Sequence, residues 1–541
     1  MKLSRLEITN HARIADLDIQ IREHLVIVGA NDVGKSSILR LLHLVLGSST
    51  GQLYQHLSPV DLRDPDLPLV VTVTLCGFTD PERGLFHREI AVDASDDSES
   101  LRIRLDVSPD VDDTESIVAT RSFPDRGDES ARLSRQQMAA IGWRYLPATR
   151  GSGPSQMVGP NSALRILLDG LDLGVEKLSL GSLMDDFNTE LGGSKVLSDL
   201  RKQIAGHMSK AMPHNVQTED LVVRSTADPE SSVLENVSMF VNRGGRTVPI
   251  TEQSDGLRQL MSMTLFDLSE GSSNMVAVDE PELHLHPSSQ RTIADLFTSG
   301  HNQKILVTHS PYIVQRFEPS QVVAIGRDSK AHQVAKHKLS AVEKVRSHWW
   351  SPRLLEALTA RFVIVVEGVA DRIIVEGAAS ALDISLDRLG AVVFELDGAD
   401  KFAHVYKVLG KEGFGAHILG LVDDKEKNPW LGAFGGRPKN VLGRHVWVSK
   451  EDLEDEYAAA FGGPGLAQVL IDANIAQEQA LLMSGNVESL EDLTAETLAA
   501  YSRKDKVLTA TAVANALTRT TARKITSVTA LLDELKRLTS E

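Results

Sequence analysis

A chain of 541 residues with 42% hydrophobic and 24% charged side chains can bury more than one core, so two or more globular domains are expected. Its 74 acidic against 57 basic residues give a formal charge of -17, which excludes a uniformly basic nucleic-acid coat but not a local basic groove. A single cysteine, Cys76, excludes an intrachain disulfide and a multi-cysteine zinc site and reads as a small core residue. The opening MKLSRLEITN has no signal-peptide core and no apolar run spans a bilayer, so a cytoplasmic, membrane-free protein is expected.

In chain order, Leu17, Ile19 and Ile21 alternate as in a half-exposed strand, and Leu25-Val26-Ile27-Val28 is a buried strand running into GANDVGKS, Gly29 to Ser36. Gly29 and Gly34 permit a tight turn whose amides face a triphosphate, Lys35 reaches the β/γ oxygens, and Ser36 ligates Mg²⁺. The expected nucleotide contacts are Gly29, Asn31, Gly34, Lys35, Ser36 and Ser37. Ile38, Leu39, Leu41, Leu42 and Val45 then give a helix that packs on a sheet. A β-rich region covers about Leu69 to Val107, and the acidic stretches Asp93 to Glu99 and Asp110 to Glu115 read as solvated loops. From about 154 to 214 the spacing turns helical, through Leu164, Ile166, Leu167 and Leu171 and then Leu191, Val196, Leu197, Leu200 and Ile204, which marks an inserted unit. Strand character returns near Val222 and from Val237 to Val248.

Gln253-Ser254-Asp255-Gly256 opens a helix through Leu257, Leu260 and Met261, with Ser254 or Asp255 as its cap and free amides for a phosphate. The strand Met275 to Val278 ends in Asp279-Glu280-Pro281-Glu282, where α/β sheets keep their ligands. There Asp279 would hold Mg²⁺ through water and Glu280 would polarise the attacking water. After a helix over Ser288 to Phe297, Leu306-Val307-Thr308-His309-Ser310 brings His309 to the γ-phosphate.

A break at Trp349-Trp350-Ser351-Pro352 precedes a further α/β alternation from Arg361. The run Phe362 to Val366 suits a strand covered on both faces, and it ends in Glu367-Gly368-Val369-Ala370-Asp371. Strands ending at Leu396, Val422 and Val448 precede Asp397, Asp423-Asp424 and the segment Glu451 to Glu456. Carboxylates gathered on one sheet edge can bind one or two Mg²⁺ or Mn²⁺ ions and stabilise both oxygens of an in-line phosphodiester displacement. Val528, Leu531, Leu532, Leu535 and Leu538 form the stripe of an amphipathic helix. Arg144, Arg150, Arg243, Arg246, Arg503, Lys504 and Lys506 are either DNA contacts or ordinary solvated faces. With aromatics at 5%, salt-sensitive contact with a duplex backbone is expected rather than base stacking.

The order of phosphate loop, Ser-Asp-Gly helix, Asp-Glu-Pro strand and strand-His resembles the ABC-type ATPase head of chromosome-maintenance and RecF-like proteins. There the Ser-Asp-Gly segment of one protomer closes over the nucleotide of another, so the resemblance implies that Ser254 and Gly256 bind nucleotide across a head-to-tail pair. A lid glutamine belongs to that pattern, with Gln55 as candidate. The second half is similar to Toprim, a metal-binding fold of topoisomerases, primases and some nucleases. Through GANDVGKS, SDG, DEPELHLHP, THSP, VVEGVAD, LVDD and EDLEDE, the whole chain resembles OLD-family ATP-dependent endonucleases, with a general likeness to the nuclease subunit of Gabija-type phage-defence systems.

This resemblance implies an α/β fold with an ABC-type P-loop ATPase head over 1–345, carrying a helical dimerisation insert at about 154–214, and a Toprim-type nuclease domain over 346–541. It also implies ATP, Mg²⁺ or Mn²⁺ at both sites, DNA as substrate, a homodimer or homotetramer, and a helicase-like or other defence partner. Carried over by position, Glu367 is the first catalytic metal ligand, Asp371 its supporting carboxylate, Asp423 the ligand after the next strand, and Asp452 and Glu454 the ligands of the late acidic segment. Lys506, or its neighbour Lys504, would stabilise the leaving oxygen. The chain departs from the family's Asp-x-Asp at Asp423-Asp424-Lys425-Glu426, where Lys425 replaces the second ligand unless Asp424 or Glu426 shifts into its place. Two readings stay open at this point: an ATPase-controlled DNA endonuclease, or a DNA- or phage-sensing ATPase whose non-cleaving Toprim domain signals to an effector.

Overall fold

The computed structural model describes all residues except 111, 114, 127–131, 149–163, 166–167, 169–172, 175, 212–216, 222–233, 235–236, 244–245, 269–273, 327–328, 335–351, 397, 436 and 541. Two compact units emerge: residues 1–148, 273–282 and 290–541 form one, and residues 149–272 and 283–289 the other. The expected boundary near 345 falls outside the described residues, as do Ile166, Leu167, Leu171, Val222, Arg150 and Asp397.

The first unit opens with an antiparallel sheet of β1 (Lys2–Thr9), β2 (Leu17–Gln20), β4 (Leu69–Cys76), β5 (Ala91–Val92), β6 (Glu99–Pro109) and β7 (Ile117–Ser122). Alternation decides its faces: Leu69, Val71, Val73 and Leu75 of β4 are buried, whereas Val70, Thr72, Thr74 and Cys76 lie on the other face and are half-buried. Cys76 is therefore not the core residue expected of it; its register position turns it outward.

A second sheet runs in the order β14-β13-β3-β12-β11-β8, from β3 (Leu25–Gly29), β8 (Trp143–Leu146), β11 (Met275–Asp279), β12 (Gln303–Val307), β13 (Val322–Ile325) and β14 (Ala331–His332). All its pairings are parallel except that of β14, and every residue of β3, β11 and β12 is buried, as strands covered on both faces require. Between the two sheets lies α1 (Lys35–Leu46), packed on β4 and β6 and on β3, β8, β11 and β12. Its apolar residues cover most of the helix, leaving Ser36 and Arg40 exposed, which suits burial between layers. The carboxyl ends of β3, β11 and β12 thus share one edge, where the P-loop, Asp279 and Thr308-His309 begin.

Further along the same unit, β15 (Phe362–Val366), β16 (Ala391–Glu395), β17 (His417–Asp423) and β18 (Val446–Ser449) form an all-parallel sheet in the order β16-β15-β17-β18. Parallel pairing places Glu367, Asp423 and the segment after Ser449 at one edge. Helices α7 (Val369–Ala381), α8 (Leu453–Phe461), α9 (Lys506–Ala516) and α10 (Thr526–Ser540) complete the core, with Val528, Leu531, Leu532 and Leu535 of α10 buried. At Gly377 of α7 an added Cβ would lie 2.6 Å from the Ala514 Cβ of α9, so this glycine lets the two helices touch. Helix α5 (Pro287–Ser299) lies between β11 and β12 in the chain, and α6 (Pro352–Thr359) packs on β3 and β13 and also on β16.

The second unit contains the helical pair α2 (Glu176–Gly193) and α3 (Lys195–Ala211), a hairpin of β9 (Phe240–Arg243) and β10 (Arg246–Pro249), and α4 (Asp255–Leu268). Within the span 154–214 the described residues form these two helices from Glu176 onward, and the later strand signal forms this separate hairpin rather than joining a larger sheet. Leu178 (79% exposed), Leu183 (62%) and Phe187 on α2, with Val196, Leu200 and Ile204 on α3, leave the pair with much exposed apolar surface.

Candidate nucleotide site and candidate metal centre

The P-loop begins where β3 ends. Gly34 takes a left-handed backbone (φ 91°) immediately before α1, as the sequence predicts. Gly29 does not make the turn: it is the last residue of β3, and it is glycine because a Cβ there would meet the Ile325 carbonyl oxygen at 2.7 Å. Lys35 is buried and donates to the Ala30 carbonyl at 2.6 Å, which folds the ammonium back over the loop. Burial pushes Lys35 below its usual value, while Glu280, Asp279 and Glu282 act against that shift. Asn31 and Ser36 are exposed on the loop and at the helix start, with Ser37 half-buried.

Opposite the loop, Asp279 ends β11. Its carboxyl is raised first by burial, with Glu280 adding to the effect and a hydrogen bond from Ser36 and the charge of Lys35 opposing it. One buried oxygen, Oδ1, has no protein partner, so the Ser36–Asp279 pair fits a divalent ion. Glu280 follows in a left-handed conformation (φ 50°), unusual for a non-glycine residue, with its amide donating to the Val307 carbonyl at 2.8 Å. Burial and Lys35 lower His309, which keeps its imidazole neutral at pH 7.

No local pattern assigns Glu282 a role, yet it anchors this edge. Its buried carboxylate accepts from Thr308 Oγ1 at 2.8 Å and from the His309 amide, joining the acidic turn after β11 to the histidine turn after β12. The signal was present in the fourth position of Asp-Glu-Pro-Glu, but its target is set only by strand order. Gln290 similarly accepts from Ser310 Oγ at 2.6 Å. Gln55 lies exposed on the short helix Thr50–His56.

In the second unit, Ser254 is exposed at the start of α4, where its carbonyl accepts the first helical bond from Arg258. Gly256 admits the His284 carbonyl, which would be 2.6 Å from a Cβ.

The edge of the all-parallel sheet gathers the other predicted acids. Glu367, just past β15, accepts from the Asp423 amide at 2.8 Å through Oε1, and Asp371 accepts from Gly368 at 2.9 Å. Asp371 is pushed up to about 7, first by burial and then by Glu367 and Glu454 against the Gly368 bond. Asp423 is pushed up to about 8 by burial, Glu367, Asp371, Asp452 and Glu454. Acids that lift one another in this way form a site short of positive charge, which fits a divalent ion. Among the described residues no three His, Cys, Asp or Glu side chains make a ready-made cage, so an ion here would take part of its shell from water or phosphate oxygens.

The neighbours of these acids differ from expectation. Lys425 is exposed in a turn, and the charges acting on Glu367 are Glu426, Lys506 and Glu454, so Lys425 does not enter the cluster. Asp424 pairs with Lys427 at 2.6 Å. Lys506 is the lysine of the cluster, 3.1 Å from the buried Glu454, whereas Lys504 sits 4.6 Å from the Tyr501 ring centroid. Asp452 caps α8 by accepting from the Asp455 amide, and Arg503 holds both its oxygens at 2.7 and 2.9 Å. Arg503 is thus no free DNA contact, and nothing in the local sequence pairs it with Asp452 across 51 positions. Arg144 likewise turns out half-buried on β8, with a buried Nε.

A family model described as "AAA domain, putative AbiEii toxin, Type IV TA system" matches residues 25–315, and one described as "Overcoming lysogenization defect protein-like, TOPRIM domain" matches 358–424. The chain belongs to this AAA-domain family and carries an OLD-like TOPRIM domain. It is homologous to the OLD nuclease of Thermus scotoductus (24% identical, covering 73% of this chain and 77% of that protein) and to Endonuclease GajA of Bacillus cereus (20% identical, 82% and 79%). Among solved structures, it is similar to the C-terminal region of the Burkholderia pseudomallei OLD protein (25% identity, TM-score 0.28, 33% of this chain and 98% of that one). It is also similar to an SmcHead bound to the C-winged helix domain of ScpA (17% identity, TM-score 0.39, 62% and 99%). By the two family matches, the first sheet pair with its P-loop is an ATPase domain, and the four-stranded parallel sheet belongs to a TOPRIM nuclease domain. Among the described residues no helix is long and apolar enough to cross a membrane.

Proposed function

We propose that this protein is an ATP-binding endonuclease, dependent on Mg²⁺ or Mn²⁺, that nicks or cleaves duplex DNA in defence against phage, with the ATPase head (1–345) regulating the TOPRIM domain (346–541). The observation that carries the reading is the joint placement of Glu367, Asp371 and Asp423 at one sheet edge, each carboxyl raised by burial and by neighbouring acids. A divalent ion bound there supplies Lewis-acid charge to a scissile phosphate. Glu367 and Asp423 would hold it, Asp371 fixes the turn after β15 through Gly368, and Lys506 places an ammonium beside the same acids for the leaving oxygen. In the head, Lys35, Ser36 and Asp279 would hold ATP and its metal, Glu280 the attacking water, and neutral His309 the γ-phosphate. Ser254 and Gly256 would complete the nucleotide site of another copy, and the exposed apolar faces of α2 and α3 suit a homodimer or homotetramer. With Lys425 outside the cluster, the reading of a TOPRIM domain unable to hold metal loses its main support.

Supercoiled plasmid incubated with the full chain and Mg²⁺ or Mn²⁺ tests the proposal. Nicked or linear product is expected from the parent, and none from Glu367→Ala. Lys35→Ala should abolish ATP hydrolysis and alter how cleavage responds to nucleotide. Intact plasmid under all nucleotide conditions, with ATP still hydrolysed, would overturn the nuclease reading.

A further inference from the structure

Around the TOPRIM edge the acids divide into two groups by their partners. Asp424 is paired with Lys427 (2.6 Å), Glu454 with Lys506 (3.1 Å), and Asp452 and Asp455 share Arg503, which grips Asp452 by a two-pronged contact at 2.7 and 2.9 Å and Asp455 at 2.5 Å. Glu367, Asp371 and Asp423, together with the exposed Glu426 whose charge acts on Glu367, have no cation within ion-pairing distance among the described residues. A planar guanidinium in two-pronged contact with a carboxylate leaves that carboxylate little capacity to ligate a metal. Close to a second divalent ion, the Arg503 charge would also repel it.

We propose that the TOPRIM site of this chain takes one divalent ion, held by Glu367 and Asp423, and that Arg503, locked onto Asp452 and Asp455, occupies the charge position that a second ion would otherwise fill. The late acidic segment is then a seat for a resident cation rather than a ligand set. Arg503 is a positioning residue that fixes the start of α8, and Lys506 on the adjoining α9 remains the cation turned toward Asp371 and Asp423. The absence of Asp-x-Asp at 423–425 has the same consequence: the position that would serve a second ion carries Lys425, pointing into solvent. This inference rests on the metal-dependent nuclease reading.

The test counts ions rather than products. Mn²⁺ binding to the nucleotide-free full chain carrying Asp279→Asn, which disables the head site, is followed by the electron paramagnetic resonance of free Mn²⁺. One ion per chain is expected, and none after Glu367→Gln. Asp452→Asn should leave that ion bound with affinity close to the parent's, Arg503→Lys should keep the count at one, and Arg503→Gln should raise it to two. A count of two before any change at Arg503 would overturn the inference, as would an Asp452→Asn loss of the about 10- to 100-fold seen when a metal site loses a supporting group. A count that stays at one in Arg503→Gln would overturn it too. Should Glu367→Gln bind Mn²⁺ as well as its parent, the metal-dependent reading itself fails, which separates the two outcomes.

Discussion

Asp371 and Asp423 hold their protons far more tightly in the folded chain than a free aspartate does, at about 7 and about 8 against an ordinary 3.8. Below pH ~4 these two residues bear protons in both folded and unfolded chains; as pH rises, the unfolded chain releases them first, so metal-free stability falls until about pH 8. Asp423→Asn removes this penalty. In chelator at pH 8 its Tm should exceed the parent's and the gap should close toward pH 4, whereas added Mn²⁺ should raise only the parent; calorimetry at the two pH values checks this, and a parent that gains stability with pH relative to the variant would contradict it. At Glu282, replacement by Ala strips two turns of their shared acceptor, a loss of about 1.5–3 kcal/mol, so ATP turnover should drop about tenfold or more while Glu367-dependent metal binding persists. Residues at strand ends, such as Glu367, Asp423 and Asp279, were legible because a buried apolar run followed by an acid is a local pattern. The opposite held for Arg503 and Glu282: their partners are set by which strands and helices become neighbours, and periodicity carries no record of that.

Among the elements, α7 and α9 meet at Gly377 and Ala514 and bring Asp371 and Lys506 to the same edge. Gly377→Ala puts two methyl groups 2.6 Å apart, so the helices must separate at a cost of about 1–3 kcal/mol, with loss of cleavage before loss of fold. Moving the methyl across the interface in Gly377→Ala/Ala514→Gly removes the 2.6 Å clash and leaves a tight 3.0 Å approach to the residue 514 Cα, so the pair should recover part of the unfolding midpoint and of plasmid nicking; a double variant no better than Gly377→Ala would show that the methyl contact is not the reason for the glycine. The strand β3 makes a related point. The motif predicts a turn at Gly29, whereas this residue ends the strand with the Ile325 carbonyl leaving no room for a Cβ, a constraint visible only once Gly29 and Ile325 are paired. Helix and strand identities followed well from apolar spacing, as in α1, α10 and β15. Apolar spacing marks β9 and β10 as strand but not as a separate hairpin, because strand signals do not name their partners.

For the molecule as a whole, the exposed side chains Leu183 and Phe187 give the association proposal a direct handle. Leu183→Glu together with Phe187→Glu should lower the mass measured by light scattering to that of a smaller species without lowering the unfolding midpoint; an unchanged mass would place the self-association surface elsewhere. The arrangement of the ATPase sheet has a further consequence for biosynthesis. Val26 of β3 pairs with Leu306 on one side and Val322 on the other, so both edges of the P-loop strand stay open while nearly three hundred intervening residues are translated. Unpaired edges of that kind expose the nascent chain to aggregation, and the native pairing of Gly29 with Ile325 beside the nucleotide loop forms only after residue 325 has left the ribosome. The TOPRIM strands are made only afterwards, from Phe362 onward. During synthesis, then, the cutting half never emerges before every parallel strand of its ATPase sheet has been made.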